Sequence, residues 1–64
     1  MKWIDSLDIA IELAERHPDV DPKQINFVDL MRWTMALPGF EENESHCGEK
    51  KLEAIQQAWI DEVE

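Results

Sequence analysis

The sequence holds one cysteine, two glycines and six basic residues against fifteen acids, and each shortage closes a class of function. A lone Cys47 forbids an internal disulfide, and with only His17 and His46 beside it a four-ligand cysteine and histidine zinc site is out of reach. Two glycines cannot build a phosphate-cradling loop. The scarcity of bases gives a formal net charge of −9 and a pI near 4.4, so the lysines and arginines on which nucleic-acid affinity rests are missing. No apolar run approaches the ~18 residues of a membrane span, and MKWIDSLD has neither the basic nor the apolar region of a signal peptide. A lone thiol also suits a reducing compartment. The expectation is a cytoplasmic protein that binds neither membrane nor nucleic acid.

What is present is a single domain over residues 1–64, near the lower limit at which a hydrophobic core holds a fold by itself. At 44% hydrophobic residues with clear periodicity it can bury enough to fold despite its charge. Without disulfide or zinc, dense helix packing has to supply the stability, and three tryptophans, each able to bury ~150–250 Å², suit that task. Helix one is predicted over residues 5–17, with Asp5 or Ser6 capping it, Pro18 stopping it, and Ile9, Ala10, Leu13, Ala14 and His17 facing the core. Asp21-Pro22 reads as a cap and a first-turn proline, hence a single turn of helix or a tight turn. Helix two is predicted from residue 28 or 29 to 37, burying Phe27, Leu30, Trp33, Thr34 and Leu37, with Pro38-Gly39 ending it. Helix three, residues 49–62, repeats Leu52, Ile55, Trp59 and Val63 on one face and carries Lys50, Glu53, Gln57, Asp61 and Glu64 on the other. The fold class is all-α, a compact three-helix bundle.

The acids are patterned. Asp5, Asp8, Glu12 and Glu15 recur at i, i+3, i+7 and i+10, which gathers them into one stripe of helix one, with Arg16 neutralising part of it from i+4 to Glu12. Asp19 and Asp21 extend the acidic surface past the end of that helix. The chain closes on IDEVE, placing Asp61, Glu62 and Glu64 at a helix C-terminus, where negative charge is disfavoured by ~0.3–1 kcal/mol per group. Acids held against local preference mark a functional surface. Leu7 and Ile11 lie to the far side of the apolar arc, and an exposed aliphatic pair beside a rim of acids suits docking. Met31 and Met35 read as core edge or surface, and FEENESHCGE, with His46 and Cys47, as a solvated loop matching no closed metal site.

Catalysis finds no support: no nucleophile sits beside a base, and carboxylates on exposed helix faces lack the desolvation that makes a general acid. The chain is read as a non-enzyme. Surface carboxylates can instead bind divalent cations weakly through oxygen and steer a protein onto a basic partner.

The segments KWIDS (2–6), HPDVDP (17–22), FVDLMRWTMALPGF (27–40) and EKKLEAIQQAWIDEVE (49–64) cover nearly the whole chain, and in register they closely resemble the IscX family of bacterial iron–sulfur cluster assembly. The resemblance implies a helical bundle of winged-helix-like topology without DNA-binding chemistry. It implies an adaptor or regulator that binds the cysteine desulfurase and ferrous iron through surface carboxylates, sharing its site with bacterial frataxin. Carried onto this chain, the iron-binding candidates are Asp5, Asp8, Glu12, Asp19, Asp21, Asp61, Glu62 and Glu64. The partner-binding candidates are Asp5, Asp8, Glu12, Asp61, Glu62 and Glu64. A ferredoxin or the scaffold protein of the same system are further candidate partners, and an iron donor or buffer is the alternative function. A DNA-binding three-helix domain, or an acidic mimic of nucleic acid, is a third reading, and the net charge opposes direct DNA binding. Lys2 and Trp3 match the family pattern as residues fixing the N-terminal approach. His46 and Cys47 fall in a variable loop, and Leu7 and Ile11 stand where relatives can be charged.

Overall fold

The apolar spacing of the chain resolves into three helices, and a computed structural model describes all of residues Met1–Glu64. The order is α1 (Ser6–Arg16), α2 (Phe27–Met35), a single 3₁₀ turn (Glu44–His46) and α3 (Glu49–Val63), with no strand and hence no β wing. The radius of gyration is 10.3 Å, close to the ~10.7 Å expected of a compact chain of this length.

α1 starts at Ser6, yet the cap differs from expectation. Asp5 occupies the cap position without bonding the first turn; its Oδ2 accepts the backbone N–H of Lys2 at 2.9 Å instead. Pro18 ends the helix as predicted, with His17 as the C-terminal cap. α2 begins one residue earlier than the sequence reading because Asn26 caps it. The Asn26 side chain accepts the N–H of Asp29 at 2.8 Å, while Asp29 in turn receives the Asn26 amide at 3.1 Å. α2 stops at Met35, so Leu37 is buried from a turn rather than from the helix. That turn bonds Phe40 N–H to Leu37 O at 3.1 Å, and Gly39 sits at φ +81°, the conformation that the third position of a Pro-Gly turn demands. In α3, Leu52, Ile55 and Trp59 are buried as expected, whereas Val63 is 53% exposed, because the last turn runs beyond the elements it packs on.

α1 packs chiefly on α3, and α2 closes the bundle. Trp3, Ile9, Ala10, Leu13, Leu30, Leu37, Leu52, Ile55 and Trp59 form one buried core. At ~25 cal/mol per Å² the burial of each large indole is worth roughly 4–6 kcal/mol gross. His17 stacks on Trp33 at 4.3 Å between ring centroids, with Trp59 tilted against both at 6.4 Å. Thr34 is the one core residue with a side-chain polar group outside the indoles, and its hydroxyl donates to Leu30 O at 2.8 Å.

The N-terminal segment is clasped to the connection between α2 and α3. Trp3 N–H donates to Glu42 Oε1 at 2.8 Å, its indole Nε1–H donates to Asn43 O at 2.9 Å, and Phe40 meets its ring edge-on at 4.7 Å. Met1 joins the same clasp: its amino group reaches Gly39 O at 2.7 Å and its carbonyl accepts Glu41 N–H at 2.8 Å. The FEENESHCGE segment, expected to be merely solvated, is therefore tied down along its first half.

Candidate functional site

Two groups of carboxylates emerge from this fold. The first lies on α1. Asp8, Glu12 and Glu15, one or two helical turns apart on one side, line a single shallow, open concavity whose apolar part is Met1 and Ile11. None of Asp5, Asp19, Asp21, Asp61, Glu62 or Glu64 reaches it. Arg16 Nε stands 4.0 Å from Glu12 Oε2, a long contact between half-exposed groups that does little to neutralise the stripe. Asp5 is half-buried, with one oxygen engaged by Lys2 N–H.

The second group lies at one pole. The end of α1 and the loop after it meet the end of α3: Gln56 Nε2 donates to Pro22 O at 2.9 Å, and Lys23 is ion-paired with Glu64. Asp21 accepts Lys23 N–H at 3.0 Å, so Lys23 is flanked by two carboxylates. The hydrogen bond and charge of Glu64 hold the Lys23 ammonium above its ordinary pKa against desolvation, with a smaller contribution from Asp21. Asp61 accepts the side-chain amide of Gln57 at 3.0 Å, whereas Glu62 and Asp19 are exposed with no partner. The base that the C-terminal acids lack in sequence is thus supplied through space, to Glu64 alone.

Nowhere do three carboxylate, histidine or cysteine side chains converge as a metal would require. Of the eight acids named for iron, Asp8 and Glu12 share the concavity, and the other six lie outside it. Burial raises the Cys47 thiol pKa, an effect the nearby Lys51 only partly offsets, so the thiolate form that ligates or attacks is disfavoured there. His46 Nδ1 stands 4.0 Å from Glu42, at the loop surface.

Two features went unread in the sequence. Glu15, part of the stripe but not among the candidate ligands, belongs to the concavity as fully as Asp8; its i+3 spacing from Glu12 was the available signal. Glu42 acts structurally, as the acceptor for Trp3 N–H, and nothing in its local sequence marks that role.

Comparison with known proteins decides the family. A family model described as iron-sulphur cluster assembly matches residues 1–64, the whole chain. The chain belongs to the IscX family. An uncharacterised protein of Pseudomonas aeruginosa is 56% identical over 62 residues, spanning 97% of this chain and 94% of that relative. Membership assigns the chain to iron–sulphur cluster assembly, as an accessory whose partners lie within that system. No helix is long and apolar enough to cross a membrane.

Proposed function

We propose that the chain is an adaptor that lays its acidic surface against a basic groove of the assembly system's cysteine desulfurase and tunes sulfur delivery. What supports this reading above all is the α1 stripe, where Asp8, Glu12 and Glu15 stand together around an open concavity and Arg16 meets Glu12 only through a long 4.0 Å contact. Unsatisfied negative charge of that kind accelerates encounter with a basic surface and fixes its orientation. Asp61 and Glu62 at the pole add to it, while Glu64 is largely occupied by Lys23.

Ferrous iron enters as a surface counter-charge. With no three ligands converging, ions associate weakly through one or two oxygens and with little selectivity, which favours the adaptor over a dedicated iron donor. Iron that cancels surface charge weakens a charge-driven contact, and linkage then requires the partner to weaken iron binding by the same factor.

The test is a titration against purified desulfurase, with and without ferrous iron, at two salt concentrations. Salt-sensitive binding in the absence of metal is expected, and binding only in the presence of iron would overturn the adaptor reading. Reversing Asp8 and Glu12 to lysine is expected to weaken docking at least tenfold with the fold retained, by ~1.4 kcal/mol or more. The Asp61→Lys, Glu62→Lys variant reports on the pole separately: unaltered affinity there would confine the contact to α1.

A further inference from the structure

Beside the α1 acids runs an apolar ridge that the bundle leaves uncovered. Ile4 is 74% exposed and Leu7 59% exposed, and Ile11, at i+4 from Leu7, is half-buried and continues into the concavity between Asp8, Glu12 and Glu15. A contact made by charge alone would leave the ridge idle. In a chain with nine more acids than bases, aliphatics this open, with Leu7 continuing one helical turn along α1 to Ile11, are the place where a docking surface keeps its contact area.

We infer that this face of α1 binds an amphipathic basic segment of a partner protein, whose aliphatic side chains cover Ile4, Leu7 and Ile11 while its flanking lysines or arginines meet Asp8, Glu12 and Glu15. The inference rests on the docking reading above and adds to it the chemistry of the occupant. Charge complementarity selects that occupant. Carboxylates bordering the ridge repel an acidic protein and an anionic lipid surface alike, and they desolvate at a loss against a purely apolar one. A basic stem-and-head side chain suits the concavity in particular, since its methylenes can lie on Met1 and Ile11 with the cation among the acids. The acids set the rate and direction of approach; the ridge sets how long the complex lasts.

The experiment uses the whole chain and two synthetic peptides of equal charge, one carrying lysines on one helical face and leucines on the other, the second with serine in place of every leucine. Followed by NMR, the leucine peptide is expected to shift the Leu7 and Ile11 methyl signals and to bind about tenfold more tightly than its serine twin. In a Leu7→Ser, Ile11→Ser variant the two peptides are expected to bind equally. Leu7→Gln, at an exposed position that leaves the core untouched, is the companion should the double variant melt early, and it is expected to lose part of the same difference. Equal binding of the twins to the unaltered chain, or an unchanged preference in the Leu7→Gln variant, would overturn the inference. So would Leu7-dependent binding to lipid vesicles in place of the peptide. Desulfurase titrated against the same variants separates the two readings. Docking lost on reversal of Asp8 and Glu12 but indifferent to Leu7 removes this inference and keeps the adaptor. Peptide preference with no desulfurase binding does the opposite.

Discussion

Trp3 contributes more than buried area, since both of its N–H groups are used, one on a carboxylate and one on a backbone carbonyl. Trp3→Phe keeps the aromatic contact with Phe40 but drops the indole donor and part of the volume, and a loss of about 1–2 kcal/mol is expected in urea unfolding. The Cys47 thiol is half-buried. Because burial raises its pKa above the ordinary 9.0, alkylation is expected to be slower than that of a free cysteine at neutral pH, with its rate midpoint above 9.0. Lys23 is likewise raised, from an ordinary value of 10.5, by Glu64 first and Asp21 after it. A raised cationic group stabilises the fold fully below its unfolded pKa and loses that contribution as pH climbs through the folded one, so the Lys23 contribution holds through neutrality and fades only above about 10.5. Glu64→Gln is expected to bring the Lys23 titration back toward 10.5, as read by nitrogen NMR of the ammonium.

The helices were legible wherever stopping signals and periodicity agreed. Pro18 ends α1 and Leu52, Ile55 and Trp59 define the inner side of α3, because both effects are local and the chain has few ways to evade them. α2 shows where local reading falls short. Periodicity alone starts it at residue 28 or 29, although Asn26 caps Phe27 onward by accepting Asp29 N–H and its side-chain amide donates to the Asp29 carboxylate. Asn26→Ala is expected to cost about 1 kcal/mol in urea unfolding, mostly by fraying that first turn. Asp5 misled in the other direction: a good capping residue at the right place turned back to bond Lys2, a choice set by the path of the N-terminal segment. Val63 kept its heptad-like spacing and still emerged into solvent, since periodicity says which way a side chain faces and not whether anything faces it. α3 ends against its own dipole, and Glu62→Gln is expected to stabilise the chain by about 0.3–1 kcal/mol at low salt, a gain that thermal melts at high salt should erase.

At the level of the entire chain, the acid-rich surface was plain from composition, but its division was not. The partner-binding candidates join the α1 stripe and the α3 end in one set. In three dimensions every acid of the concavity comes from α1, with Met1 closing one side, and the pole has its own lysine. Nor did any local pattern announce that residues 1–3 would pair with residues 39–43, since such pairing depends on where α2 delivers the chain. That clasp has a kinetic corollary. Trp3 and Asn43 lie 40 positions apart, so joining them demands closure of a long loop, whereas each helix assembles from near neighbours within its own span. The seam is therefore expected to form late on the folding route and to open early on the way out. Loosening it by Trp3→Phe should leave the refolding arm of a chevron plot nearly unmoved and lift the unfolding arm, which makes this short stretch the latch governing how long the native molecule lasts.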